Sequence, residues 1–273
     1  MRRSKPTEAV LAETRDLDSR SVDEILALIH AQDGRAWQAV GRVLPAIAEG
    51  VDALTEVLAN GGCWYNVGAG TSGRMGALDA AEIPPTFGLD PRRVRAILAG
   101  GESALIRAVE DAEDDGEAAR TKLMTAGLRD GDAVLAISAS GDTPFALSAI
   151  EFARESGARH LAITCDPESP LAEGAEIAIC PTVGPEVIAG STRMKGGLAQ
   201  KMVLHLLSTT VMVKLGYVSG NLMTNLTPNS RKLRERGLRI VMEVLGLDEL
   251  RARELLDASG GVAARAIERG QLG

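Results

Sequence analysis

The stretch DAVLAISASGDTP, residues 132–144, decides the fold class. Its apolar run at 133–138 predicts a strand buried on both faces, and Pro144 is placed to open the helix that follows. Other short apolar runs, each followed by sequence of helix length, occur at 63–68, 94–100 and 160–165, and a weaker one occurs at 177–180. Because buried strands that alternate with helices form parallel sheets, we expect a doubly wound α/β fold.

Helical sequence precedes and follows this core. Ser21 and Glu24 have the spacing of a capping box, and helical patterns continue from there, with two further stretches between residues 35 and 59. A long helix is expected at about 193–215, followed by polar and helical sequence. We therefore predict three parts, which are an N-terminal helical segment packing on the core (1–60), the α/β domain (61–216) and a C-terminal helical extension (217–273).

Composition excludes several classes of function. The formal net charge of −7 argues against a nucleic-acid partner, which requires clustered positive charge. The three cysteines and three histidines are dispersed, so we predict neither a metal cofactor nor a disulfide framework. No apolar run approaches the ~20 residues of a membrane helix, and the N-terminus does not resemble a signal peptide. We expect a soluble, cytoplasmic protein without a membrane partner.

The first strand leads into GAGTSGR, residues 68–74, which matches the G-x-G-x-x-G pattern of dinucleotide sites. Such a site also requires an acidic residue at the end of the next strand, whereas that strand ends here in Ala99-Gly100-Gly101. The loop therefore favours a different anion. Its glycines allow a close approach of the backbone, and the helix that begins there offers free N–H groups to a phosphate.

The loop SASGDTP, residues 138–144, has the same chemistry at the end of another strand. Ligands bind beyond the carboxyl ends of parallel strands, so two such loops predict a site for a phosphomonoester. The alternative is that the hydroxyls are only helix N-caps, a role that Ser140 or Thr143 could fill. The predicted binding residues of the two loops are Gly70, Thr71, Ser72, Ser138, Ser140, Gly141 and Thr143.

Two carboxylates are candidates for acid–base chemistry. We expect Pro84-Pro85 to end a short helix and to leave Glu82 at a rigid, partly apolar corner, where it can donate a proton, although an exposed helix-end acid is an equal alternative. Residues 101–115 are taken as one acidic helix, in which Glu113 lies seven residues after Ile106 and extends the apolar stripe. A carboxylate on such a stripe is costly unless it is used.

The segment GPEVIAGSTRMK, residues 184–195, resembles the signature shared by N-acetylmuramic acid 6-phosphate etherases and the glucokinase regulatory protein. Three further blocks, at 68–88, 108–114 and 220–226, are also similar to the bacterial etherases. The resemblance implies a sugar isomerase (SIS) fold of flavodoxin-like type, a homodimer, and no metal or nucleotide. It also implies cleavage of the lactyl ether of N-acetylmuramic acid 6-phosphate to N-acetylglucosamine 6-phosphate and D-lactate.

The resemblance also implies roles for individual residues. Glu82 and Glu113 match the two catalytic glutamates of the family, and our hypothesis is that Glu113 removes the C2 proton while Glu82 protonates the departing lactate. The family usually has arginine where this chain has Asp142, which weakens the attraction for phosphate unless the carboxylate points away. The signature adds three candidate ligand or dimer contacts, Glu186, Ser191 and Lys195. The alternative for Lys195 is a solvated position in the first turn of a helix.

The sequence is also compatible with two other functions. A non-catalytic regulator that binds a phosphosugar would share the signature, but it would not need two positioned acids. An aldose–ketose phosphosugar isomerase would share the removal of the C2 proton, but it would not need an acid directed at a leaving group on C3.

Overall fold

A computed structural model describes residues 5–109, 111–226, 228 and 230–272. It contains one parallel sheet of five strands in the order β2-β1-β3-β4-β5. The strands are β1 Trp64–Gly68, β2 Val94–Leu98, β3 Ala133–Ile137, β4 Arg159–Ile163 and β5 Ile177–Ile179. Each overlaps a predicted run, which confirms the parallel α/β core. Every residue of β1 and β3 is buried, as expected of central strands that are covered on both faces.

Helices cover both faces of the sheet. One face carries α1 Val22–Arg42, α2 Leu44–Ala59, α3 Gly70–Phe87 and α8 Lys195–Lys214. The other face carries α5 Gly116–Ala126 and α6 Pro144–Glu155. The short helices α4 Ser103–Ile106 and α7 Pro170–Gly174 follow β2 and β4. Among the described residues, no helix combines the length and the apolar character needed to cross a bilayer.

The N-terminal helices share a buried cluster with the sheet. The predicted capping box is confirmed, because Ser21 accepts a hydrogen bond from the Glu24 N–H and the Glu24 carboxylate accepts one from the Ser21 N–H. The helix that begins there is longer than predicted, since α1 continues to Arg42. Residues of α1 such as Ala36 and of α2 such as Ile47 pack in the same cluster as the sheet.

The C-terminal helices form a hydrophobic cluster of their own. They are α9 Arg231–Leu245, α10 Glu249–Asp257 and α11 Ala263–Leu272. The division of the chain at residues 60 and 216 stays a prediction.

The chain leaves the two central strands in opposite directions. From β1 it passes through α3 to β2 on one side, whereas β4 and β5 are added beyond β3 on the other side. Such a reversal opens a crevice at the carboxyl ends of the two strands, where α/β proteins bind their ligands. The loops at 68–74 and 138–144 follow these two strands, so the fold places both of them at the crevice.

Candidate functional site

The loop after β1 ends in a helix start that no side chain caps. Gly70 has a φ of +53°, and α3 begins there with Ala69 in the N-cap position. Thr71 and Ser72 follow in the first turn, with Ser72 buried and Thr71 half-buried. Within the described ranges, the N–H groups of residues 70–72 have no hydrogen-bond acceptor. Such N–H groups, at the positive end of the helix dipole, can bind an anion.

Close packing holds this helix start against the sheet. A Cβ added at Gly73 would lie 2.4 Å from the Gly68 carbonyl oxygen and 2.2 Å from the Leu98 side chain. Only glycine allows this separation, which is the packing role of the last glycine in the G-x-G-x-x-G pattern. The match to the dinucleotide pattern therefore has a structural cause that does not involve a dinucleotide.

The loop after β3 is organised around the Ser138 hydroxyl. Its Oγ lies 2.8 Å from Thr143 Oγ1 and 3.4 Å from Ser140 Oγ, and it accepts a hydrogen bond of 3.1 Å from the Gly141 N–H. Thr143 occupies the N-cap position of α6, but its side chain makes no capping hydrogen bond. The alternative that the Thr143 hydroxyl serves as a helix cap is therefore wrong.

The start of α6 is closed by backbone carbonyls instead. Pro144 has no N–H, and the Phe145 N–H donates to the Glu113 carbonyl at 3.0 Å. The next two N–H groups donate to the Thr143 carbonyl at 3.0 and 3.1 Å. The first turn of α6 therefore has little to offer an anion, although the hydroxyls of the preceding loop stay at the crevice.

The start of α8 is the third helix terminus at the crevice, and Glu186 caps it. Glu186 is fully buried, and its carboxylate accepts hydrogen bonds from the N–H groups of Lys195 (3.0 Å) and Gly196 (2.8 Å). Burial raises the pKa of Glu186, and these two N–H groups oppose the rise. A Cβ added at Gly197 would lie 3.1 Å from Thr71 Cγ2, so α8 begins beside the first loop.

Lys195 is only 1% exposed, so the interpretation of a solvated lysine is wrong. Its ammonium donates to Gln32 Oε1 at 2.6 Å, and the Gln32 amide donates in turn to Glu13 at 3.0 Å. Burial lowers the pKa of Lys195, and the negative charge of Glu186 opposes that shift. The unfavourable cation at a helix N-terminus is thus balanced by an internal carboxylate. Ser191 is half-buried in the preceding loop, where its carbonyl accepts the Met194 N–H.

Gln32 and Glu13 were missed at the level of sequence. Gln32 is the one polar residue among the buried positions of α1, four residues before the buried Ala36. A polar side chain on the buried stripe of a helix is the signal that could have found it, because such a group requires a partner.

Asp142 is accompanied by a cation from the N-terminal segment, because Lys5 forms an ion pair with its carboxylate. Both side chains are partly exposed. They line a cavity of about 690 Å³ together with Asp114, Asp166 and Glu168. The repulsion expected of Asp142 towards a phosphate is therefore reduced by a charge that the sequence did not indicate.

The predicted helix across residues 101–115 is wrong. The short helix α4 ends at Ile106, which is 88% exposed, so there is no buried stripe for Glu113 to extend. Asp111 has a φ of +59°, outside helical geometry. Asp115 then accepts a hydrogen bond from the Ala118 N–H and caps the separate helix α5. Part of the acidic run thus serves as a helix cap, which is a common role for aspartate.

Glu113 nevertheless lies beside the first loop. Its side chain is exposed, and the residue lines a cavity of about 260 Å³ together with Gly70 and Arg74. Its carbonyl is held by the Phe145 N–H. The structure therefore brings together Glu113 and the uncapped start of α3, although for a reason other than the predicted stripe.

Glu82 lies far from this cavity. The helix α3 continues through Pro84 and Pro85 to Phe87, with Gly88 as its C-cap, so the prediction that the prolines end it is wrong. Buried Ile83 and Phe87 keep this last turn packed on the core, although each proline removes one backbone N–H from the helix. Glu82 is exposed and follows Gly70 by 12 residues, which corresponds to about 18 Å along the helix. One chain therefore does not bring Glu82 and Glu113 together.

Comparisons with known proteins bear on this site. Residues 46–154 match the family model of the glucokinase regulatory protein N-terminal SIS domain, and 109–210 match that of the SIS domain. The N-acetylmuramic acid 6-phosphate etherase 1 of Enterococcus faecalis is 47% identical, over 96% of this chain and 87% of the relative. The corresponding etherase of Symbiobacterium thermophilum is also 47% identical, with the same coverage. The chain belongs to the N-acetylmuramic acid 6-phosphate etherase family.

The fold of this etherase-family chain recurs in solved structures of other proteins. A phosphoheptose isomerase from Francisella tularensis matches with a TM-score of 0.53 at 22% identity, over 70% of this chain and 98% of the isomerase. The phosphoheptose isomerase from Neisseria gonorrhoeae matches with a TM-score of 0.54 at 18% identity and the same coverage. The predicted SIS-type fold and the predicted family are both confirmed.

Proposed function

We propose that this protein is a carbon–oxygen lyase that cleaves the D-lactyl ether of N-acetylmuramic acid 6-phosphate, giving N-acetylglucosamine 6-phosphate and D-lactate in cell-wall amino-sugar recycling. The observation that carries the proposal is the uncapped start of α3 beside Glu113, at the crevice between β1 and β3. Membership of the etherase family supports the lactyl ether as the bond that is cleaved. We expect the enzyme to act in the cytoplasm without a metal or an organic cofactor.

The phosphate of the substrate is expected at the start of α3. Of the three helices that begin at the crevice, α6 is closed by carbonyls and α8 by Glu186, whereas the N–H groups of residues 70–72 lack acceptors among the described residues. The hydroxyls of Thr71 and Ser72 add donors at the same place. The hydroxyls of Ser138, Ser140 and Thr143 are then available to the sugar, across the crevice.

The reaction follows from the chemistry of an open-chain sugar. The C1 aldehyde acidifies the C2 proton, which Glu113 removes as the general base. The C3–O bond then breaks, and Glu82 donates a proton to the departing lactate oxygen. Glu82 next activates a water molecule that adds at C3 of the unsaturated aldehyde, while Glu113 returns the proton to C2. One water is consumed, and the products are the amino-sugar phosphate and D-lactate.

This scheme requires Glu82 and Glu113 at neighbouring carbon atoms, whereas in one chain about 12 Å of helix separates Glu82 from Arg74, the last residue of α3 that lines the cavity of Glu113. We therefore propose a homodimer in which a second copy of the chain supplies Glu82 to the site that contains Glu113. Glu82 is exposed on α3, so a second copy can reach it.

The function is tested by D-lactate release from N-acetylmuramic acid 6-phosphate. We expect release by the wild type and a loss of at least roughly a hundredfold in Glu82→Gln and in Glu113→Gln. The matched control is Glu117→Gln, an exposed glutamate in the first turn of α5, which should retain normal turnover. Near-normal turnover of either active-site variant would refute the assigned roles. Binding of the sugar phosphate without release would favour the regulator, and ketose formation would favour the isomerase.

Mixing the two inactive variants tests the shared site. In a hybrid dimer of Glu82→Gln and Glu113→Gln chains, a shared arrangement leaves one site with both glutamates. Random reassociation should then restore about one quarter of the wild-type activity. If both glutamates of a site came from the same chain, every site in the mixture would lack one of them and no activity would return.

A further inference from the structure

We propose that Arg74 is a positioning residue that fixes the segment carrying Glu113, and that it is not a ligand of the substrate phosphate. The proposal rests on the proposed function, in which Glu113 is the general base. Arg74 invites the opposite assignment, because it is a cation in the loop motif that begins α3 and it lines the same cavity as Glu113.

The guanidinium of Arg74 is engaged with the end of α4. Its Nε donates to the Ala104 carbonyl at 2.8 Å, and its Nη2 donates to the Arg107 carbonyl at 3.1 Å. The last carbonyls of a helix accept no hydrogen bond from within the helix, and a cationic side chain near them is favourable. Arg74 therefore ties the end of α4 to the start of α3, where the phosphate is expected.

The contact made by Arg74 lies at the start of the segment that connects α4 to α5. Arg107 itself is extended, and among the described residues that follow it a regular helix resumes only at α5. Glu113 is held at the far end of this segment, where its carbonyl accepts the Phe145 N–H. Arg74 thus fixes the near end and α6 fixes the far end. Losing Arg74 would release the start of this segment, and the Glu113 carboxylate would then sample a wider range of positions.

The hydrogen bonds to α4 occupy one of the two edges with which Arg74 could form a bidentate pair with phosphate, and they leave only the edge that contains Nη1. A bidentate arginine–phosphate pair uses two N–H groups on one edge of the planar guanidinium. In Arg74 the Nε and Nη2 groups already donate to two carbonyls. To bind phosphate with that edge, Arg74 would have to release α4 and with it the segment of Glu113.

The test compares Arg74→Met with Arg93→Met. Arg93 is a matched control, because its Nε donates to the Gly62 carbonyl at 2.9 Å and its Nη2 to the Leu58 carbonyl at 2.7 Å, at the amino ends of β1 and β2 and away from the crevice. Both variants lose a pair of guanidinium–carbonyl hydrogen bonds. We expect Arg74→Met to lower kcat by roughly tenfold to a hundredfold with KM nearly unchanged, because the base is misplaced. Arg93→Met should keep normal kcat.

Other kinetic outcomes would overturn the proposal. A higher KM with unchanged kcat in Arg74→Met would identify Arg74 as a substrate ligand. An equal loss of kcat in Arg93→Met would show a general effect of destabilisation. Arg74→Lys should recover part of the lost kcat, because an ammonium can still donate to the two carbonyls, whereas a lysine variant as slow as Arg74→Met would contradict positioning through these hydrogen bonds.

Amide hydrogen exchange gives a readout that does not depend on activity. In Arg74→Met, exchange in the peptide covering residues 103–109 should become faster than in the wild type, and in Arg93→Met it should not change there. Unchanged exchange of this peptide in Arg74→Met would overturn the proposal. If the wild type released no lactate, the proposed function would fail while this measurement still decided the anchoring role of Arg74.

Discussion

Replacing Glu186 by glutamine separates a capping role from a substrate-binding role for the signature segment. Glutamine has nearly the same volume as glutamate, so the variant leaves no cavity in this fully buried position. It removes one negative charge and turns one of the two acceptor oxygens into a donor. Those two oxygens accept the N–H groups of Lys195 and Gly196 at the start of α8.

The expected loss of stability follows from these contacts. The amide oxygen of the introduced glutamine can accept one of the two N–H groups, and the other becomes a buried donor without an acceptor, which costs about 1–3 kcal/mol. Losing the negative charge at a helix N-terminus costs about 0.3–1 kcal/mol, and more where the site is buried. The buried Lys195 ammonium also loses its main opposing charge. We expect the free energy of unfolding to fall by about 2–4 kcal/mol.

Urea denaturation at neutral pH measures this loss. The control is Asp115→Asn at the exposed start of α5, where asparagine caps as well as aspartate and the change should stay below about 0.5 kcal/mol. At temperatures where Glu186→Gln is still folded, its KM should match that of the wild type. A variant of wild-type stability with a raised KM would refute the reasoning and identify Glu186 as a substrate ligand.

Three further predictions concern packing and ionisation. Gly73→Ala should lower the free energy of unfolding by about 1–3 kcal/mol or more, because its Cβ would meet a backbone oxygen at 2.4 Å, whereas Gly34→Ala in α1, with open space around it, should raise it by about 0.5–1 kcal/mol in the same urea assay. Burial raises the pKa of Asp79 above its ordinary value of 3.8. Between the unfolded and the native pKa the native state therefore binds more protons, so the free energy of unfolding falls as the pH rises through that range. Urea unfolding of Asp79→Asn should therefore show a gain over the wild type that is larger at neutral pH than near pH 4, and a constant difference would contradict this. Burial raises the pKa of Cys165 to about 12 and that of Cys180 to about 11, so iodoacetamide at about pH 8 should label both far more slowly in native protein than in urea, which mass spectrometry of tryptic peptides would detect.

The parts of the fold that local chemistry determines could be predicted from the sequence. All five strands were found because a short apolar run that is buried on both faces has no other common structure at that length. The start of α1 was found because Ser21 and Glu24 satisfy each other's backbone across one turn. The two loops at the crevice could also be predicted, because their glycines and hydroxyls come directly after the apolar runs that form the strands.

The predictions that the structure contradicts concern features that depend on packing and on contacts between residues distant in the sequence. Pro84 does not end α3, because buried side chains on either side of it keep the last turn packed against the core. The Glu113 carbonyl is held by the Phe145 N–H, 32 residues later in the chain. The acidic sequence around Glu113 also gives no sign that α4 ends at Ile106. The partner of Lys195 is Gln32, 163 residues away in the chain. Periodicity could mark Gln32 as a buried polar side chain, but the local sequence does not identify the partner in any of these contacts.

The caps of the three helices at the crevice decide which of them can serve the substrate. A helix start that already holds a carboxylate repels a second anion, so Glu186 makes α8 a poor place for a phosphate while it stabilises the helix. Glu113 closes α6 with its own carbonyl, which couples the position of the proposed base to that helix. Of these three helices, only α3 begins with N–H groups that have no acceptor among the described residues, and two hydroxyls lie in the same turn. A phosphate held there would lie next to the cavity lined by Glu113, so in the proposed mechanism the substrate anchor and the general base are neighbours, and in the proposed homodimer a second copy supplies the acid Glu82.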